Sequence, residues 1–197
     1  MAGTLAIVTV LGTLGIVAAT SQPTPEPVAK ALAWELDARY LGRRGVQLQR
    51  GKVDCGVAAL AMILTHHRRE ARLDDVRREV LDRGEGLSLL EMQEIALEHG
   101  LAAEGWRLDA SALAHASLPA IAHFQDHYVV VDEVRSDGSV LVRDPAIGWM
   151  EVPASRFQKL WTGNVLLFPA PPTASPTSGS AGVGGVRRTR PSPTHVS

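Results

Sequence analysis

One cysteine in 197 residues excludes an intramolecular disulfide and leaves no cysteine cluster for a zinc site. A formal net charge of −1 leaves no global field to draw the chain to nucleic acid or to an anionic surface. Proline is scarce where a fold would need it to be scarce. Of twelve, three lie at 23, 25 and 27, six lie at or beyond Pro169, and only Pro119, Pro145 and Pro153 fall between. The boundaries read from this are 1–27 for an apolar segment plus Pro-rich linker, 28–168 for one folded domain, and 169–197 for a tail. The central span is long enough for a substantial core.

Charge is missing altogether from residues 1–25, and Leu5 to Ala19 is nearly all apolar. Fifteen helical residues span about 22 Å and nineteen about 28 Å, borderline for a bilayer. The segment reads as a single N-terminal membrane anchor or, with small residues at Val17-Ala18-Ala19 but no basic n-region, as a signal peptide. A buried core helix is the third reading. The expected location is therefore membrane-associated, or exported if the segment is cleaved. Lys30 and Arg39 hint at a cytoplasmic domain, but two charges do not fix the side. The Pro/Ser/Thr/Gly tail cannot bury enough surface to offset its ordering entropy, so disorder is expected there. Its small basic cluster, Arg187, Arg188 and Arg190, reads as solvated.

What is present centres on Gln49-Arg50-Gly51-Lys52-Val53-Asp54-Cys55-Gly56, running into the apolar stretch from Val57 to Leu64. The lone thiol sits where a polar loop turns into a helix, and the helix N-terminus favours its thiolate form. Asp54 is expected to cap that helix, accepting first-turn amides. Gly56 is expected to leave the thiol open on one side, and Gln49 to aim its side-chain amide at the sulfur. Taken alone, the stretch fits a buried structural cysteine as well as a nucleophile.

Val28 to Leu41 has helical apolar spacing and ends at Gly42. The helix opening at Cys55 is apolar on nearly every face until His66-His67, so it is predicted to be central. A charged helix from Leu73 to Leu81 follows, broken by Gly84 and Gly86. Ser88 and Glu91 have capping-box spacing at the start of another helix that stops at Gly100. The second half changes period. Ala120–Phe124, His127–Val134 and Ser139–Asp144 read as strands, with Ser136-Asp137-Gly138 as a hairpin turn. Ser155–Trp161 reads as a short helix and Val165–Phe168 as a closing strand. The fold class is α+β, with N-terminal helices packed on a C-terminal antiparallel sheet.

His127 begins one strand of the predicted hairpin and Asp144 ends the other. Side by side, the carboxylate holds one ring nitrogen and leaves the second for a nucleophile, the orienter-and-base pairing of covalent catalysis. His123, four residues from His127, is the rival base on the same strand face, and His123, Asp126 and His127 are a weaker metal triad.

These motifs together resemble a family. Gln49 and Cys55 within Asp54-Cys55-Gly56-x-Ala58-x-Leu60-x-Met62, then Pro119-Ala120-Ile121-Ala122-His123-Phe124, His127-Tyr128-Val129-Val130, Asp144-Pro145-x-x-Gly148 and Phe157-x3-Trp161-x-Gly163, are similar to the bacteriocin-processing cysteine peptidases. The resemblance covers about 47–168 and implies a papain-like fold. It implies Cys55 as nucleophile, His127 as general base, Asp144 as the residue orienting it and Gln49 as oxyanion-hole donor, with no cofactor. It also implies a peptide substrate with a double-glycine leader. Family members are often the N-terminal domain of an ATP-driven exporter. This chain has neither a multi-span domain nor a GxxxxGK[ST] phosphate loop, so a separate exporter is the expected partner. The alternative function is a non-catalytic peptide-binding module of the same fold docked to an exporter. Self-processing at Gly184-Gly185 is a weaker third reading, since linker composition explains that pair as well.

Overall fold

The computed structural model describes residues 23–169. The apolar segment at 5–19 and the tail, with its Arg cluster and Gly184-Gly185, lie outside the described residues. Seven antiparallel strands form a single sheet with helices on both faces. The elements in chain order are α1 Glu26–Glu35, β1 Arg39–Gly42, α2 Cys55–His66, α3 Asp74–Arg83, α4 Leu89–Glu98, β2 Glu104–Arg107, α5 Ala110–Ala114, β3 Ala120–Phe124, β4 His127–Val134, β5 Val140–Asp144, β6 Gly148–Val152, α6 Ala154–Leu160 and β7 Trp161–Leu167. Strand order is β1-β6-β5-β4-β3-β7-β2. Thus β3 to β6 form a meander, and β7 returns to pair between β3 and β2.

Alternation along the strands separates two cores. Ile121, Val130 and Leu166 face α2, α3 and α4, meeting Val57, Leu60, Leu64, Val80 and Met92. Ala120, Ala122, Val129, Val131, Val142 and Val165 point the other way, toward Ala29, Ala33, Leu113 and Phe157 of α1, α5 and α6. The side-chain period of two turns one apolar strand into two packing faces. Such a strand must be sandwiched, and this one is. Helix α2 is buried from Cys55 through Leu64 because its Ala, Leu, Met and Ile side chains leave no polar stripe for water. Ser88 and Glu91 make the expected reciprocal capping box at the start of α4.

Several elements depart from the sequence reading. The Val28–Leu41 helix stops at Glu35, because Asp37 takes a left-handed φ of 53° and the chain turns into β1. Strand β1 pairs with β6, Arg39 opposite Glu151, and Arg39 and Arg135 both reach the Glu151 carboxylate. Strand β6 was hidden by its brevity and its leading glycine. Strand β2 is exposed along its whole length, so it shows no alternation to read. Strand β7 starts at Trp161, four residues before its apolar run, because Gly163 at φ 88° carries the chain past the Leu108 carbonyl.

Gly148 sets the β1–β6 edge. Its φ is 135°, and a Cβ there would lie 2.5 Å from the Gly42 carbonyl oxygen. Gly148→Ala is expected to destabilise the fold by at least about 1–3 kcal/mol, the range for a residue forced into such a backbone region. Urea unfolding monitored by tryptophan fluorescence checks this, and an unchanged midpoint contradicts it.

Candidate active site

Three segments converge where α2 begins: the 49–55 loop, the start of β4 and the turn after β5. His127 opens β4 directly after a tight turn in which Gln125 has φ 51°. Val131 lies opposite Val142 in the β4–β5 register, so His127 and Asp144 share one face of the sheet. Their side chains meet, with His127 Nε2 3.0 Å from Asp144 Oδ1. Asp144 is 1% exposed and its Oδ1 also accepts the backbone N–H groups of Ala146 at 2.7 Å and Ile147 at 3.2 Å. An Asp before Pro is a turn former, and here the turn amides and the imidazole share one oxygen.

Cys55 stands at the first position of α2 and is 4% exposed. His127, 9% exposed, lies against it. Burial pulls the imidazole toward neutrality, but the Asp144 carboxylate and its hydrogen bond, together with the Cys55 sulfur, outweigh that effect. The net direction is well above the ordinary histidine value of 6.5, which favours the protonated ring. With Nε2 committed to Asp144, Nδ1 is the nitrogen left to the sulfur. Tyr128, next in β4, is pushed up by burial and by the neighbouring Cys55 and Glu91, so its phenol stays neutral.

The loop is pinned to the same turn. The Gln49 N–H donates to the Pro145 carbonyl at 2.9 Å. Gln49 Nε2 donates to the Gly51 carbonyl at 2.8 Å, which uses one of its two amide hydrogens and leaves the other free to donate. Gln49 Oε1 is buried with no hydrogen-bond partner among the described residues.

Two local expectations are corrected. Asp54 makes no side-chain cap to α2. Its carboxylate turns back and accepts the N–H groups of Arg50 and Gly51, the latter at 2.8 Å, so it closes the loop ahead of the helix. Gly56 does not hold the thiol open. It is buried, and a Cβ there would sit 3.2 Å from Met92 Sδ and 3.4 Å from Tyr128, so its missing side chain lets these groups pack down.

His123 does not join the pair. The turn at Gln125 breaks the strand, and His123 lies opposite Tyr128 with its Nδ1 3.2 Å from Thr162 Oγ1. The imagined His123–Asp126–His127 triad is therefore split between separate partners. His66 is exposed at the end of α2, while His67 turns its ring onto Phe168.

Sequence reasoning missed Arg77. It is 5% exposed, and its Nε lies 3.1 Å from Asp54 Oδ2. The signal was present: Leu73, Arg77 and Val80 fall at i, i+4 and i+7, which puts a charge on the apolar stripe of α3.

The same sequence pattern and fold occur in known proteins. Residues 43–173 match the profile of the Peptidase C39 family. The lactococcin-G-processing and transport ATP-binding protein LagD of Lactococcus lactis is 35% identical over 130 residues, 62% of this chain and 18% of that protein. The probable functional amyloid protease FapD of Pseudomonas aeruginosa is 32% identical over 139 residues, 62% of this chain and 60% of that protein. The chain thus spans under a fifth of the length of LagD. Among solved structures, a double glycine motif protease from an AMS/PCAT transporter, in complex with its leader peptide, superposes with a TM-score of 0.58 at 30% identity. That match covers 62% of this chain and 89% of the other. The peptidase domain of Streptococcus ComA, at 23% identity and a TM-score of 0.56, shares the fold. With 43–173 matched to one profile and the same α+β architecture in a solved relative, the chain belongs to the Peptidase C39 family of cysteine proteases.

Proposed function

We propose that this protein is a cysteine endopeptidase that cuts a peptide precursor after a double-glycine leader, using Cys55, His127, Asp144 and Gln49. The observation that carries the reading is the buried His127–Asp144 contact of 3.0 Å, with Cys55 close enough to help raise the imidazole. In the reaction, the Cys55 thiolate attacks the scissile carbonyl carbon, and the carbonyl π pair moves to oxygen. The free N–H of Gln49 and the Cys55 backbone N–H donate to that oxyanion. As it collapses, the C–N bond breaks and the His127 imidazolium gives its proton to the leaving amine. Water, deprotonated by the now neutral His127, attacks the thioester and restores the thiolate.

The double-glycine preference has physical support. A thiol 4% exposed and an imidazole 9% exposed leave little room beside the reacting bond. A main chain without Cβ atoms can approach where others are excluded. The solved relative holds a leader peptide, which suits the same substrate class. We assign as partner an ATP-driven exporter, since LagD joins processing and transport under one name. The apolar segment at 5–19 is assigned to membrane attachment on its uncharged, apolar composition; among the described residues no helix is long and apolar enough to cross a membrane.

The test is digestion of a leader peptide containing Gly-Gly beside variants with either glycine changed to valine. Cleavage after the second glycine, lost in both variants, is expected; indifference to valine overturns the specificity. In the same assay Gln49→Ala is expected to lower kcat roughly 100- to 1,000-fold, the usual cost of one oxyanion donor. An unchanged kcat removes Gln49 from the site.

A further inference from the structure

The loop that carries Gln49 is held by a buried ion pair for which the chemistry above has no use. Asp54 is fully buried, and three groups meet its carboxylate: Arg50 N–H at 3.0 Å, Gly51 N–H at 2.8 Å and Arg77 Nε at 3.1 Å. The guanidinium N–H is not aimed along a hydrogen bond, so the contact is one of charge. The Gly51 carbonyl in turn accepts from Gln49 Nε2. A continuous path therefore runs from Arg77 in α3, through Asp54, to the Arg50–Gly51 backbone and on to the Gln49 amide.

Burying two charges is costly, and a well-packed apolar pair would serve stability as well or better. What the pair supplies is position. Asp54 precedes the thiol directly, and its backbone carbonyl accepts from Ala58 N–H at 3.0 Å to begin α2. One residue thus fixes the start of the helix with its main chain and the oxyanion loop with its side chain. Without the arginine, its carboxylate would be buried beside two backbone amides only, and the loop would shift to admit water.

We propose that Arg77 is a positioning residue for catalysis: through Asp54 and the Gly51 peptide it holds the second N–H of Gln49 where the oxyanion forms. The inference rests on the Cys55 peptidase reading, and it predicts a separation of two reactions of one thiol. Alkylation by iodoacetamide needs the thiolate but no oxyanion donor; peptide hydrolysis needs both.

The experiment uses the full-length chain and compares wild type, Arg77→Met, Arg77→Lys, Gln49→Ala and the Gln49→Ala/Arg77→Met double variant. Circular dichroism and urea unfolding accompany each. In Arg77→Met, kcat on the Gly-Gly peptide is expected to fall roughly 10- to 100-fold, the scale of a misplacement near 1 Å. KM stays within about threefold, and the alkylation rate of Cys55 and its pH profile stay as in wild type, since alkylation needs no oxyanion donor. Arg77→Lys keeps the charge and recovers part of kcat. In the Gln49→Ala background Arg77→Met costs nothing further, because the path it acts through is gone.

Parallel loss of alkylation and hydrolysis in Arg77→Met overturns the proposal and makes the arginine a general structural support. So does an unchanged kcat, or a full additional loss in the double variant. If Arg77→Met does not fold, Arg77→Lys is judged by the same ratio of hydrolysis to alkylation, and a ratio equal to that of wild type overturns the proposal. A wild type that neither cleaves nor labels brings down the peptidase reading itself, an outcome distinct from all of these.

Discussion

Cys55→Ala is expected to lower kcat on a Gly-Gly peptide by roughly 10⁵- to 10⁶-fold, the cost of deleting a nucleophile that acts in concert with its base. The substitution removes the atom that forms the acyl bond, and no other residue can replace it, since the chain has no second cysteine. The cavity left is one sulfur atom at the edge of a helix buried by its own apolar faces, so the fold should tolerate the change. Stability by urea unfolding should move little while hydrolysis and probe labelling disappear together. Residual activity within tenfold of wild type contradicts the assignment of the nucleophile.

Asp144→Asn has the next largest expected effect, a fall of roughly 10⁴-fold in kcat, the scale seen when a triad carboxylate is made neutral with its geometry kept. The amide can still occupy the turn, with its oxygen on Ala146 and Ile147 N–H, but it no longer stabilises a charged ring. A pH signature accompanies the loss. Burial pulls His127 down, and Asp144 is the main force that lifts it well above 6.5. Donation to the leaving amine needs the protonated ring, so activity falls as pH rises through that raised value. In the asparagine variant burial gains the upper hand, and the alkaline limb of the kcat/KM profile moves toward lower pH.

Stability tracks the same group. A histidine raised in the folded state adds stability that is complete below about 6.5, its unfolded value, and is lost as pH rises through the folded value. Asp144→Asn should flatten this decline. Unfolding midpoints measured across that window check the sign, and a decline equally steep in both proteins contradicts it.

The legible parts of the sequence were those whose signal is local. The apolar run of α2, the Ser88–Glu91 capping box and the Val-rich strands each carry a pattern that needs no knowledge of neighbours. The His127–Asp144 contact was also legible, because a hairpin turn at Asp137-Gly138 fixes which strand ends lie side by side. The remainder depended on partners far along the chain. Strand β1 exists because β6 offers it an edge more than a hundred residues later. Asp54 has the local pattern of a helix cap, set directly before an apolar helix; it became a loop clasp because Arg77 waits beneath it. His123 and His127 look equivalent until the turn at Gln125 sends one ring to Thr162 and leaves the other to Asp144.

A rapid-quench experiment with a peptide ester ending in Gly-Gly reaches the central claim most directly. Intact-mass and peptide analysis of the quenched protein should find the acyl group as a thioester on Cys55, formed and discharged within the turnover time. Turnover with Cys55 unmodified, or an acyl group on another residue, would contradict the account.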